Sequence, residues 1–242
     1  MNKQQRDGSS PRRWRASITA ALVAMAGLFG TFGITGGASA ADEEEAPDYV
    51  WNAMQGEKLI ALRAKGDPVR GAITFEICQG CHRAHALGRP DGTYPRLAGQ
   101  HDTVLIKQMT DVRAGRRRND KMLPFVDRHV VGPQDIADIA AYLTKLPVPP
   151  THGKGPGDRL DEAAAQYKQI CQECHGARGE GDAAQFYPRV SGQHFRYMRR
   201  ELIDIRDGAR RNANPRMIKV VKGLSDADLE ALADYMSRMP VD

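Results

Sequence analysis

The pentapeptide Cys78-Gln79-Gly80-Cys81-His82 occurs a second time as Cys171-Gln172-Glu173-Cys174-His175. The pattern C-x-x-C-H is typical of covalent haem attachment. Two thiols three positions apart can each form a thioether with a haem vinyl group, and the adjacent imidazole can then bind the iron as an axial ligand. The motifs therefore predict two haem c groups, attached through Cys78, Cys81, Cys171 and Cys174, with His82 and His175 on the iron.

A zinc site built from the four cysteines is the main alternative. It does not account for the histidine after each pair, and it would join cysteines from separate parts of the chain. A redox-active cysteine pair would be expected within a βαβ pattern, which the sequence lacks. The two motifs use all four cysteines of the chain, so none is left for a disulfide. This use of cysteine favours haem attachment.

The chain around and beyond the first motif is an internal repeat. Several short stretches reappear 93 residues later. The matched stretches are Tyr94-Pro95-Arg96 with Tyr187-Pro188-Arg189, Gly99-Gln100-His101 with Gly192-Gln193-His194, and Leu146-Pro147 with Met239-Pro240. An offset maintained over about 70 residues indicates two copies of one module of about 80 residues each.

Helix signals recur in both modules, and no convincing alternating strand pattern appears. Asp67 and Pro68 predict the cap and first turn of a helix that runs into Cys78. Ser225, with Asp228 three residues on, predicts a capping box at the start of the last helix. We therefore predict an all-α fold of two tandem domains, each built around a covalently attached haem. A module of this size has a marginal core, which a largely apolar haem would complete.

Composition divides the chain into five segments. We predict a signal peptide (1–40), a partly helical N-terminal extension (41–66), a first haem domain (67–147), a linker rich in proline and glycine (148–157) and a second haem domain (158–242). Within the extension, apolar positions predict a helix from about residue 48 to residue 65.

The first 40 residues have the pattern of an export signal. A basic stretch ending in Arg12-Arg13-Trp14-Arg15 precedes a mostly apolar run, and Ala38-Ser39-Ala40 fits a cleavage site. We therefore expect a periplasmic protein. The alternative is an uncleaved anchor in the inner membrane, because the apolar run from Ala16 to Ile34 is just long enough to span a bilayer.

The formal net charge of +5 comes mostly from these first residues. Residues 41–242 contain 30 basic and 29 acidic side chains, so the mature protein is close to neutral. A nucleic-acid partner therefore has little electrostatic support.

The sixth iron ligand should come from further along each module, and a methionine thioether would raise the reduction potential. Met122 and Met217 are the candidates because both follow short polar stretches predicted to be loops, 40 residues after His82 and 42 after His175. Met109, Met198 and Met236 lie in helical patterns and are expected in the cores. His101 and His194 occupy equivalent repeat positions and are the alternative ligands, although a cap or surface role is expected for both.

Pro95 and Pro188 each lie 13 residues beyond the proposed histidine ligand. A backbone carbonyl there could accept the imidazole N–H, which would orient the ring and tune the iron. Arginines crowd the region before each methionine and could pair with haem propionates or form a docking surface for an acidic partner.

These motifs resemble the class I cytochromes c, and specifically the tandem di-haem cytochrome c4 type, over about residues 68–242. The resemblance rests on the two C-x-x-C-H motifs, on Tyr-Pro-Arg-Leu-Ala-Gly-Gln (94–100) and its copy at 187–193, and on the closing helix. It implies two all-α haem domains, histidine and methionine ligation, and electron transfer in the bacterial periplasm, often to a terminal oxidase. The extension and the long linker depart from the usual module.

Two functions remain open. The first is an electron carrier, not an enzyme, between a donor such as a cytochrome bc complex or dehydrogenase and an acceptor such as a haem-copper oxidase. The second is a haem c subunit of a periplasmic dehydrogenase, or a di-haem enzyme with an open iron site. The plausible methionine in each module, and the absence of room for a substrate domain, favour the carrier.

Overall fold

The computed structural model describes residues 50–241. The predicted signal peptide lies outside the described residues. Within that range the chain forms helices and loops, with a single isolated bridge between Asp182 and Tyr187, so the all-α prediction is confirmed. The helices are α1 (Gly56–Arg63), α2 (Pro68–Thr74), α3 (Gln79–His82), α4 (Asp102–Arg113), α5 (Pro133–Lys145), α6 (Leu160–Ile170), α7 (Gln172–His175), α8 (Phe195–Arg206), α9 (Pro215–Val221) and α10 (Asp226–Ser237), with 3-10 turns at Phe75–Cys78 and Leu123–Phe125.

The predicted helix starts are present. The Asp67 carboxylate accepts hydrogen bonds from the backbone N–H groups of Val69 (2.8 Å) and Arg70 (3.4 Å), and Ser225 with Asp228 forms a capping box. Helix α1 is shorter than predicted, because it begins only at Gly56. None of the helices in the described part of the chain is long and apolar enough to cross a membrane.

Each domain buries its own apolar core beneath its first and last helices. In the first domain α2 packs on α5, and the Phe75 ring lies 5.8 Å from that of Tyr142. In the second domain α6 packs on α10, and Tyr167 lies 5.6 Å from Tyr235. Tyr142 and Tyr235 are 93 residues apart, but Phe75 and Tyr167 are only 92 apart. Phe75 therefore lies three residues before Cys78, within a 3-10 turn, whereas Tyr167 lies four residues before Cys171, within α6.

The predicted linker has no regular secondary structure, yet hydrogen bonds attach it to the second domain. The backbone N–H groups of Gly155 and Gly157 donate to the Asp234 carboxylate at 3.0 and 2.6 Å. The Gly153 carbonyl accepts from the Phe195 N–H at 2.8 Å. These bonds explain how a glycine-rich stretch can keep one path between the two domains.

Candidate haem sites and the interface between them

Both C-x-x-C-H motifs lie on one turn of helix. In each, the first cysteine precedes the turn, and the second cysteine and the histidine lie within α3 or α7. Helical spacing places residues three apart on one face, so both thiols can reach the same planar group. Burial raises the pKa of Cys78 to about 11 and that of Cys171 to about 12. The first cysteine of each motif is therefore a neutral thiol at pH 7 before a haem is attached.

The two histidines are oriented by backbone carbonyls. His82 Nδ1 lies 3.2 Å from the Pro95 carbonyl oxygen, and His175 Nδ1 lies 3.0 Å from that of Pro188. Because a carbonyl can only accept, each Nδ1 carries the proton and each Nε2 keeps its lone pair. Burial lowers the pKa of both imidazoles. Each imidazole is therefore neutral, and the lone pair of its Nε2 is available to bind a metal.

The methionines predicted as sixth ligands contact the cores of their own domains. Met122 packs against the cluster that also contacts Cys78, and Met217 against the cluster that contacts Cys171. The loop predicted for Met217 is wrong, because this residue lies in α9. Asn214 caps that helix by accepting the Arg216 N–H at 2.8 Å. Met122 instead directly precedes the 3-10 turn Leu123–Phe125.

His101 and His194 occupy the N-cap positions of α4 and α8, but their side chains make no capping hydrogen bond and instead link the two domains. His101 Nε2 lies 2.8 Å from the carbonyl oxygen of Glu180, and His194 Nε2 lies 2.7 Å from that of Leu87. The acceptors are themselves 93 residues apart, so the two contacts are equivalent. Both rings are engaged at the interface, which argues against the alternative in which they bind iron. The linker residue His152, which has no repeat partner and for which the sequence predicts a surface position, is half-buried and contacts the Ser237 carbonyl.

Two glutamines form a second reciprocal contact. Gln193 accepts the Arg96 N–H and donates to the Arg96 carbonyl, both at 2.9 Å. Gln100 accepts the Arg189 N–H at 2.9 Å and donates to the Arg189 carbonyl at 3.0 Å. The domains thus face each other about a local two-fold axis, as identical subunits do in a symmetric dimer. The sequence repeat showed these stretches as equivalent but did not show that they are partners.

A third set of side chains meets on this axis. Arg117 and Arg210 each contact both Gln108 and Glu201, at distances between 2.8 and 3.3 Å. Burial would raise the pKa of Glu201, but the two guanidinium groups hold it below its usual range. Glu201 therefore places a carboxylate between the two domains at a position where the first domain has a neutral amide, Gln108.

Two observations fit a haem in each domain. The two imidazoles present a free Nε2, as described above. In addition, the Arg96 side chain is only 4% exposed, and none of its guanidinium nitrogens has a hydrogen-bond partner among the described residues. Burial lowers the pKa of Arg96 to about 10. A buried cation of this kind matches the propionate groups that a haem brings.

A zinc site does not fit the geometry. Within residues 50–241, no group of three or more histidine, cysteine, aspartate or glutamate side chains is placed to bind one metal ion. The two cysteine pairs lie in separate domains, one at α3 and one at α7, as the haem interpretation requires.

The fold and the two motifs define a c-type cytochrome with two haem domains. Residues 69–147 match the family model described as cytochrome c, and residues 158–236 match that of subunit III of cbb3-type cytochrome c oxidase. The chain is 33% identical to cytochrome c4 of Azotobacter vinelandii over 197 residues, which cover 72% of this chain and 89% of that protein. The chain belongs to the cytochrome c4 family, and it carries two covalently bound haem c groups.

Two further relatives bear on structure and function. The crystal structure of reduced recombinant cytochrome c4 from Pseudomonas stutzeri superposes with a TM-score of 0.63 at 28% identity, covering 73% of this chain and all of that one. A thiosulfate dehydrogenase electron acceptor from Stutzerimonas stutzeri is 32% identical, over 67% of this chain and 78% of that protein.

The interface should weaken in acid because of His194. Its Nδ1 accepts the Gly153 N–H at 3.1 Å while Nε2–H donates to Leu87, so both nitrogens require the neutral ring. Burial lowers the pKa of His194. The unfolded chain therefore binds a proton more readily, and stability present above about pH 6.5 is lost as the pH falls below that value. Urea unfolding of the holoprotein between pH 7.5 and pH 5 should show this loss.

The variant His194→Gln should flatten that pH dependence by up to about 1.4 kcal/mol per pH unit, the value for one proton. The matched control His129→Gln removes an exposed histidine and should leave the dependence unchanged. Equal pH slopes in the wild-type protein and His194→Gln would contradict the assignment.

Proposed function

We propose that the protein is a periplasmic electron carrier in which electrons enter at one haem, cross the interface and leave at the other. The observation that carries this proposal is the reciprocal interface, which fixes two equivalent sites face to face through side chains of both domains. A carrier benefits from such rigidity because groups that are already oriented need little rearrangement when an electron arrives.

In this proposal Cys78 and Cys81 hold the first haem and Cys171 and Cys174 the second. The axial ligands are His82 with Met122 and His175 with Met217. The haem supplies a one-electron redox centre when bound. The carbonyls of Pro95 and Pro188 keep the imidazoles in the tautomer that can ligate, and a thioether on the other side favours the reduced iron.

We propose an electron donor and an electron acceptor for this carrier. A cytochrome bc complex or a dehydrogenase would supply electrons, and a haem-copper oxidase would accept them. The second candidate is the haem c subunit of a periplasmic dehydrogenase, and the similarity to a thiosulfate dehydrogenase electron acceptor favours it. A leader that is retained would place the protein at the inner membrane.

The distribution of exposed apolar side chains favours the first domain as the surface on which a redox partner docks. The exposed large apolar side chains of the described residues all lie between residues 50 and 130. Val69, Ile73 and Ile77 are 71, 65 and 42% exposed and follow one helical face toward Cys78. Leu123 and Phe125 adjoin Met122.

The corresponding face of α6 in the second domain is Asp161, Ala165 and Gln169. Residues 67–147 also carry twelve basic against nine acidic side chains, whereas residues 158–242 carry fourteen of each. A redox protein with an apolar contact face and an acidic rim fits the first domain.

Visible spectroscopy tests the ligands. The oxidised protein should show the weak methionine-to-iron band near the red end of the spectrum, and Met122→Ala and Met217→Ala should each remove about half of it. Each substitution should also lower the potential of one haem, because the thioether favours reduced iron.

The matched control is Met236→Leu, since Met236 is buried in the second core and should leave the band intact. A full band in either alanine variant would exclude that methionine. A high-spin haem in the wild-type protein would instead favour an enzyme with an open iron site.

A further inference from the structure

The extension before the first domain places Trp51 in one of two equivalent clefts between the domains. The Trp51 ring lies 6.1 Å from the rings of both Phe186 and Tyr187 in the second domain. Lys107 of the first domain places Nζ 4.7 Å from the ring centroid. The space bounded by Phe186, Tyr187, Lys107 and Asp111 is called the closed cleft below.

The offset of 93 residues relates this cleft to a second one that Trp51 does not fill. The residues equivalent to Phe186, Lys107 and Asp111 are Thr93, Arg200 and Asp204. These three residues, with Arg117, Arg118 and Lys121, line a cleft of about 410 Å³, here called the open cleft. The two-fold relation between the domains therefore holds at the interface contacts but fails at these clefts.

Equivalent residues differ in exposure across the two clefts. In the closed cleft, the Lys107 and Asp111 side chains are 1 and 0% exposed. In the open cleft the Arg200 side chain is 44% exposed. Thr93 is exposed, whereas Phe186 is buried. The aromatic ring lies over the cation of a buried ion pair in the closed cleft, whereas the equivalent cation of the open cleft is partly in water, so the two clefts have different local dielectrics.

The closed cleft adjoins the second haem-attachment motif. Tyr187 directly precedes Pro188, whose carbonyl oxygen lies 3.0 Å from His175 Nδ1. The Trp51 indole Nε1 is buried and has no acceptor among the described residues. A buried N–H donor without an acceptor is costly, so an acceptor from outside the described residues, such as a haem carboxylate, would stabilise this position.

We propose that Trp51 is a positioning residue that shields the second haem from water and thereby raises its reduction potential. This inference rests on the carrier function proposed above. Exclusion of water disfavours the more highly charged oxidised iron, so shielding raises the potential of the second haem relative to the first.

Two measurements on the full-length holoprotein test this role. In Trp51→Ala, the reduction potential of one haem should fall. The fall should correspond to about a fivefold change in the one-electron equilibrium constant of that haem. The reduction potential of the other haem should stay the same. Modification of Lys107 by an amine-reactive reagent, followed by mass spectrometry, should become at least about tenfold faster. The exposed Lys121 serves as the internal reference.

Trp51→Phe keeps a ring but removes the N–H, so it should protect Lys107 as the wild-type residue does and lower the same potential by less. Equal shifts of both potentials, no shift in Trp51→Ala, or a phenylalanine variant as reactive at Lys107 as the alanine variant would each overturn the proposal.

Repeating the titration in a Met122→His variant identifies which haem Trp51→Ala affects. In that variant the potential of the first haem should drop far below that of the second. Trp51→Ala should then still lower the potential of the second haem, whose transition stays at the higher value. If Met122→His leaves both potentials in place, the ligand assignment of the carrier proposal fails. The Lys107 result still reports separately on whether Trp51 closes the cleft.

Discussion

Replacing Asp111 with alanine is expected to lower the free energy of unfolding of the holoprotein by about 3 kcal/mol. The Asp111 carboxylate is fully buried and accepts from Lys107 Nζ at 2.5 Å, Arg116 Nε at 2.9 Å and Asn212 Nδ2 at 3.0 Å. Burial lowers the pKa of Lys107 to about 8 even with this carboxylate beside it. Removing the carboxylate leaves the ammonium in a buried site with less compensation. Urea unfolding followed by circular dichroism at pH 7 measures the loss.

The repeat supplies a matched control in Asp204→Ala. Asp204 is the equivalent residue in the second domain, and it is partly exposed. Burial and the neighbouring Glu201 raise its pKa. Its removal also relieves repulsion from Glu201, so a change within about 0.5 kcal/mol is expected. If both variants lose the same stability, the buried pair has no special role.

Replacing Ile73 with glutamate should reduce kcat/KM for oxidation of the reduced protein by oxidase-containing membranes about tenfold. An exposed charge in an apolar docking face must be desolvated when the partner binds, which costs on the order of 1–2 kcal/mol. Because Ile73 is 65% exposed, the substitution should leave folding and both reduction potentials unchanged.

Ala165→Glu is the control for this prediction, since it places the same charge at the equivalent exposed position of the second domain. Oxidation by ferricyanide, a small ion that needs no apolar contact, should be little changed in both variants. Equal loss with Ala165→Glu would move the docking surface away from the first domain. Equal loss with ferricyanide would point to altered haem properties.

Local chemistry explains what could be predicted from the sequence. The C-x-x-C-H motifs span one helical turn, and the caps at Asp67 and Ser225 bond to residues no more than three positions away. Such short-range interactions can be recognised from the sequence. The constant offset then showed that the two sites belong to copies of one module. The assignment of Met217 to a loop failed because a cap at Asn214 can start a helix as readily as it can end a turn.

By itself, therefore, the sequence determined the all-α class and the two haem domains, and it predicted which residues would hold the haems. The tertiary structure decided how the domains meet: Gln100 with Arg189, His194 with Leu87, and Trp51 with Phe186. These partners are about 90 to 135 residues apart in the chain, and no periodicity or spacing relates one partner to the other at such distances. Only packing brings them together, and it is packing that places Trp51 in one of two equivalent clefts and leaves the other open.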